Sequence, residues 1–329
     1  MNTKFQTFLY FIAGSALGFL IWSYTLFSTE KNPCSEAVFN QHIIESKISI
    51  LKQAKKNKIV VLSGSNALFG FNARTIEKEL KIQTINCGIH AGFNLDFLLW
   101  LTNNYFTEGD IVIMPLEYNI YKQNGSKPSR SMVNIVHGYY PKYKEKLSFI
   151  ERMKFNLTYS YKDFADLLYI KYNPAFDQKF IKKWFINNHG DIVNNRKSQQ
   201  SDQHKLMLSK VNLNKVLTNG LDKSCQGFTR LKKFFHQANS KGVKVVGAYP
   251  NLCYWVDYEN YPSFHETPKK IKSFFEEHAF GFVGKFKDSH FTNDYFFDTE
   301  NHLNHEGVKI RTDNLILNLK ALLKFDVKI

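Results

Sequence analysis

An aspartate and a histidine four positions apart, Asp298 and His302, lie in the turn-prone segment Phe297-Asp298-Thr299-Glu300-Asn301-His302-Leu303-Asn304-His305-Glu306-Gly307 near the C-terminus. An acid beside an imidazole fixes its tautomer and stabilises the imidazolium, so the imidazole can take a proton from a hydroxyl. The hydroxyl that fits is Ser65, in Ser63-Gly64-Ser65-Asn66 directly after the apolar run Ile59-Val60-Val61-Leu62. A serine at a strand-to-helix turn has its own amide in a helix-start region suited to an oxyanion, and it needs a base because a free hydroxyl is a weak nucleophile. Gly88, ending the run Ile82–Cys87, is the expected second oxyanion donor, and the Asn119 side-chain amide the third. Rivals exist for several roles. Glu300 competes as the orienting acid and His305 as the base. His302 and His305 are spaced as a metal pair, but no further ligands with matching spacing complete a site, so neither metal nor cofactor is expected. His90, near Gly88, is either a pocket residue or a turn histidine.

Such residues need a scaffold that brings strand ends together. Three apolar strands, Lys58–Ser63, Ile82–Cys87 and Asp110–Met114, alternate with a turn and helix over Ala67–Leu80 and a helix over 92–104. The rhythm returns with a helix over Phe228–Ala238, a strand over Val243–Pro250, a helix over Thr267–His278, a last strand over Phe280–Phe286 and a final helix over Val308–Leu323. Alternation of this kind predicts a parallel sheet with helices on both faces. Ligands bind such sheets at the carboxyl ends of their strands, where Ser65, Gly88 and Asn119 share one rim.

Residues Phe8–Phe27 carry no charge and suffice to cross a hydrocarbon core of about 30 Å as a helix. Residues 1–30 are therefore expected to be an uncleaved membrane anchor, 31–57 a stalk and polar helix, and 58–329 the α/β domain. Lys4 precedes the apolar run, while Glu30 and Lys31 beyond it cancel, which favours the bulk of the chain on the outer side. An insertion at about 125–225 is aromatic and basic, with Tyr139, Tyr140, Tyr143, Phe155, Tyr159, Tyr161, Tyr169, Tyr172, Phe180 and Trp184; it reads as a lid or as helical padding. Of the formal net charge of +15, only Lys4 falls in the first 27 residues. That charge suits an anionic surface. The basic residues are scattered and no nucleic-acid motif is present, so an envelope glycan is expected rather than nucleic acid. Four cysteines show no metal spacing; Cys225 and Cys253 can pair if the compartment oxidises.

The order of these blocks resembles the SGNH (GDSL-like) hydrolase superfamily. Leu62-Ser63-Gly64-Ser65-Asn66 resembles its first block, Asn86-Cys87-Gly88 its second, Gly109 through Asn119 its third, and Phe297 through Gly307 its last, including a His-Leu-Asn-x-x-Gly tail. The usual Gly-Asp-Ser reads Ser63-Gly64-Ser65 here, and measured back from Gly70 instead, the family's pattern would put Asn66 at the nucleophile position and leave an inactive site. The third block lacks Gly-x-Asn-Asp, and three residues separate Asp298 from His302 where two are commonest. Within the superfamily the chain looks most like membrane-anchored envelope members, the alginate O-acetylation proteins and the D-alanine transfer protein of teichoic acid synthesis. The resemblance implies a flavodoxin-like three-layer sandwich. It also implies an acyl-serine intermediate on Ser65, with His302 and Asp298 completing a triad and Ser65, Gly88 and Asn119 forming the oxyanion hole. The implied reaction is acyl transfer or ester hydrolysis, of acetyl groups in particular, on an anionic envelope polysaccharide. The implied setting is a single-pass protein of the inner membrane facing the periplasm, working with a membrane-bound acyl-transfer partner. An inactive domain that binds a glycan or such a partner is the alternative.

Overall fold

In a computed structural model the chain is described over residues 3–30, 33–122, 128–159, 165, 168–169, 186–221 and 225–326. It divides into two compact units, one of Met1–Gln41 with Lys127–Ile181, the other of His42–Ser126 with Lys182–Ile329. The segment expected as one insertion is thus shared between them. Of its aromatics, Tyr161, Tyr172, Phe180 and Trp184 lie outside the described residues.

The second unit is α/β. Strands β1 (Ile59–Ser63), β2 (Thr84–Gly88), β3 (Ile111–Met114), β4 (Lys244–Ala248) and β6 (Gly281–Val283) form a parallel sheet in the order β2-β1-β3-β4-β6. Between β4 and β6 in sequence, β5 (Leu252–Cys253) pairs with β7 (His290–Phe291) in a separate two-stranded sheet that the sequence did not announce. The continuous β-branched runs at 59–61 and 111–113 are buried on both faces, as a covered parallel sheet requires. The last strand is shorter than Phe280–Phe286 because Gly284 turns to φ +84°.

Alternation along the strands assigns the two faces. Ile59, Val61, Ile111, Ile113 and Val246 share a core with Ile76 and with Leu315, Ile316 and Leu319. Those partners come from α4 (Ala73–Leu80) and α13 (His305–Asp326), the first and last long helices of the unit. Gly247 points the other way, where a Cβ would lie 2.6 Å from the Phe275 ring of α12 (Pro262–His278). Helices therefore cover both faces, with α5 (Leu95–Thr102) and α11 (Gly227–Ser240) packed together on the side of α12. The expected turn and helix after β1 resolve into α3 (Ser65–Leu68) and α4, broken at Gly70. Register matters for the site. Ser63 pairs with Gly88, so both turns open at the same rim.

Unit one contains α1 (Thr3–Thr29), 27 residues long and apolar enough to cross a membrane. It also contains α7 (Arg130–Tyr139) and α8 (Phe149–Asn156). Helix α2 (Ser35–Gln53) follows α1 in sequence, and α9 (Asp202–Leu208) and α10 (Lys215–Asn219) precede α11 in the second unit.

Near the end of α2, Lys47 is fully buried. Its Nζ donates to the Asn86 carbonyl at 2.7 Å and to the Gly190 carbonyl. Asp191, next to Gly190, accepts from the Ala73 amide at 2.9 Å and the Asn86 side chain at 3.3 Å, joining α4, β2 and the 186–192 loop. Burial lowers the Lys47 pKa to about 8, against opposing fields from Cys87 and Asp191. A lysine with a depressed folded pKa leaves the unfolded chain holding more protons between the two values, so stability rises with pH there. Between pH 8 and 10.5 the contribution is expected to be about 3 kcal/mol. Urea unfolding of wild type and Lys47→Met across that range checks this: the wild-type free energy climbs relative to the variant's, and parallel curves would refute it.

Candidate active site

The Asp298–His302 segment is a closed loop. The Phe297 amide donates to the His302 carbonyl at 2.7 Å, and Phe296 bridges Leu303 antiparallel. Two residues from the 186–221 stretch hold it from outside: Asn195 Nδ2 donates to the Leu303 carbonyl at 3.0 Å and Gln200 Nε2 to the Phe297 carbonyl at 2.7 Å. The His-Leu-Asn-x-x-Gly tail has a mechanical reading. Leu303 is buried, Asn304 Oδ1 accepts the Glu306 and Gly307 amides at the start of α13, and a Cβ on Gly307 would sit 2.9 Å from the Tyr295 carbonyl.

Within this loop Asp298 Oδ1 lies 2.6 Å from His302 Nδ1. The carboxylate makes Nδ1 the protonated nitrogen, leaving Nε2 a lone pair. Among the described residues Nε2 has no hydrogen-bond partner. The ring stacks on Phe69, centroids 4.0 Å apart at 12°, so its plane is set as well as its tautomer. Glu300, the rival acid, instead lines a neighbouring cleft. His305 begins α13, exposed, with its amide on the Asn195 carbonyl. Among the described residues no three His, Cys, Asp or Glu side chains group as a metal site.

Ser65 opens α3 at the end of β1. Its carbonyl accepts from the Phe69 amide at 3.0 Å, one turn along, so the ring beneath His302 is tied to the serine's own turn. Among the described residues neither Ser65 Oγ nor its amide has a hydrogen-bond partner, and Ser65 and His302 do not bond to each other. Asn66 is the opposite case. It is fully buried, its Nδ2 donates to Ser63 Oγ and the Pro115 carbonyl at 3.0 Å each, and its Oδ1 accepts from Arg311 at 2.9 Å. A side chain so committed is framework. Asn66 therefore offers no free group to a substrate, whichever residue holds the nucleophile position.

Two residues that sequence reasoning did not single out hold this turn. The buried Glu117 carboxylate accepts from Ser63 Oγ at 2.9 Å, the Gly64 amide at 3.1 Å and the Asn66 amide at 3.0 Å. Arg311 of α13 donates to the Asn66 carbonyl at 2.8 Å, Asn251 Oδ1 at 2.6 Å and the Tyr249 carbonyl at 3.3 Å, with its guanidinium 4.1 Å from the Phe71 ring centroid. Burial pushes the Arg311 pKa down to about 9, and the nearby Glu117 charge opposes the shift. Gly64 and Gly70 are glycines because a Cβ would strike Glu117 Oε1 at 2.5 Å in the first case and the Asn66 carbonyl and Arg311 in the second. One signal was available. Val308, Arg311, Thr312, Leu315, Ile316 and Leu319 fall on one helical stripe, so an arginine sits where the core is expected.

The expected oxyanion donors divide. The Ser65 amide is open. The Gly88 amide is engaged, donating to Asn86 Oδ1 at 2.9 Å. Gly88 also has a packing requirement, since a Cβ would lie 2.1 Å from the Leu68 nitrogen of α3. Asn119, in α6 (Tyr118–Lys122), is exposed and lines a cleft of about 490 Å³, open solvent included, with Glu117, Tyr118, Asn214, Asn251, Glu300 and Asn301 among its walls. Asn251 Nδ2 and Tyr118 OH are buried there without a partner among the described residues. His90 is a turn residue, its Nδ1 accepting the Gly92 amide at 2.9 Å. No disulfide forms among the described residues, which include all four cysteines.

No protein-family model matches the chain, and no curated protein or solved structure matches it.

Glu117→Ala leaves the Gly64 and Asn66 amides in the interior without their acceptor and removes the charge whose field favours the buried Arg311 guanidinium. The expected cost is about 3–5 kcal/mol of unfolding free energy, read by urea denaturation; a loss below about 1 kcal/mol would show that the carboxylate does not hold the turn.

Proposed function

We propose that the chain is a membrane-anchored, serine-dependent O-acyl hydrolase or transferase of the SGNH type, acting on an acyl group, acetyl in the first instance, of a cell-envelope polysaccharide. The observation that carries this reading is the Asp298–His302 pair at 2.6 Å, with the second imidazole nitrogen open at the rim where β1 delivers an uncommitted serine. The strand order supports it, since counting only the main sheet gives 2-1-3-4-5, the flavodoxin-like order.

On this reading Ser65 Oγ attacks the ester carbonyl while His302 Nε2 takes its proton. The imidazolium, stabilised by Asp298, returns the proton to the leaving sugar oxygen, and the acyl group stays on Ser65. An acceptor hydroxyl, from water or a second sugar, then attacks the acyl carbon and gives its proton to Nε2, which passes it to Ser65 Oγ as the acyl–serine bond breaks. The tetrahedral oxyanion is met by the Ser65 amide and Asn119 Nδ2, each such donor being worth about 3 kcal/mol of barrier. Serine and base close to hydrogen-bond distance when substrate is bound, as apo sites commonly do.

The cleft beside this centre supports a hydroxyl-rich acceptor. Its carboxamides, Asn119, Asn214, Asn251 and Asn301, both donate and accept. No lysine or arginine lines it, so the chain's positive charge would attract an anionic glycan from outside the cleft. Helix α1 supports a single-pass position in the cytoplasmic membrane, with the bulk of the chain on the extracytoplasmic, periplasmic side. A membrane-bound protein that supplies the acyl group fits that position.

One observation favours a second reading, a catalytically silent domain that binds a glycan or an acyl-transfer partner: the Gly88 amide is committed to Asn86. A fluorophosphonate probe on the full chain in detergent separates the two. Rapid phosphonylation mapped to Ser65, lost in Ser65→Ala and slowed at least about 10³-fold in His302→Ala, is expected. His305→Ala should label at close to the wild-type rate. Folded protein that takes no label belongs to the silent reading.

A further inference from the structure

Helix α8 carries apolar side chains on two opposite faces. At about 100° per residue, Phe149, Ile150, Met153 and Leu157 fall within an arc of about 100°, and Phe155 projects from the far side. Phe155 is buried, as one inward face requires. The other stripe is not: Phe149, Ile150 and Leu157 are 78%, 66% and 65% exposed. Arg152 and Lys154 flank the stripe, one on each edge, and both are exposed. The turn leading into α8, Pro141–Lys146, adds exposed Lys142 and Lys146. Of the two acids nearby, Glu151 is engaged in a capping box with Ser148. An apolar stripe bordered by cations is the pattern of a helix lying in a membrane interface.

Its position within the unit gives the stripe an occupant. Lys144 pairs with Glu30 at 3.0 Å, immediately after the last residue of α1. Gly138 packs on Pro33, where a Cβ would lie 2.9 Å from the proline Cα, and Asn134 Nδ2 donates to Glu36 at 3.1 Å. The 134–144 stretch is thus fastened to the residues that leave the anchor. Where α1 crosses a bilayer, α8 lies near the surface it emerges from.

We propose that residues 141–157 form a second, interfacial contact with an anionic lipid surface, in which the Phe149/Ile150/Leu157 stripe enters the headgroup boundary and Lys142, Lys146, Arg152 and Lys154 meet lipid phosphates. This contact is independent of the acyl-transfer reading and rests on α1 spanning the membrane. It restrains the unit by two attachments rather than one.

The test is photo-crosslinking of the full chain in nanodiscs of phosphatidylglycerol and phosphatidylcholine. p-Benzoylphenylalanine replaces Phe149 or Ile150, with Phe11 in α1 as the inserted reference and exposed Leu206 of the other unit as the solvent reference. Lipid adducts by mass spectrometry are expected at 149, 150 and 11, but not at 206. The yield at 150 should fall severalfold in pure phosphatidylcholine or at salt on the order of 0.5 M. Adducts at 11 without any at 149 and 150, or a yield at 150 indifferent to lipid charge and salt, would overturn the proposal. Absence of lipid adducts everywhere would overturn it together with the anchor.

Discussion

A single buried carboxylate organises the rim of the sheet. Glu117 sits where β3 ends, and it collects the hydroxyl of Ser63 and the amides of Gly64 and Asn66. A charge out of water must be fully hydrogen-bonded or it destabilises the fold, and here every donor comes from one four-residue turn. The flanking amides are consumed and the Ser65 amide between them is left over. Arg311 completes the node from the other side by holding both polar ends of Asn66 and the amide oxygen of Asn251. Removal of either charge would free the turn from its neighbours. The glycines at 64 and 70 are the space this arrangement occupies.

The other half of the site is built by different means. The Asp298–His302 loop depends on hydrogen bonds within itself and from Asn195 and Gln200 and on a ring stack, and among the described residues Asp298 and His302 pair only with each other. Phe69 is the link between the halves, since its amide belongs to the serine's turn and its ring supports the imidazole.

Legibility in the sequence followed the range of each interaction. β1 and β3 were readable from continuous β-branched runs, and Asp298 with His302 from a four-residue spacing, because the information lies within one segment. The break at Gly70 and the purpose of Gly88 were not readable, since the first is imposed by Arg311 of the last helix and the second by the Leu68 backbone across the sheet edge. β5 and β7, two residues each, are too short to show a period. Between Ser65 and Asn66 a local pattern is ambiguous by construction, and the partners that bury Asn66 while leaving the Ser65 hydroxyl open come from elements distant in the chain. Arg311 lay in plain view on an apolar stripe, but the carboxylate it faces is almost two hundred positions away.

The clasp that Asn195 and Gln200 place on the histidine loop has an evolutionary corollary. A segment lying between the two sheet-forming halves would ordinarily be free to drift, lengthen or be exchanged, and so to set specificity. Here its 195–200 part is a strut of the machinery, since it fixes the backbone on both sides of the imidazole. Change among descendants of this chain is therefore channelled toward the carboxamides of the open cleft and away from that stretch, and a chimera that swapped the whole insertion would lose the hydrogen bonds that hold the backbone around His302.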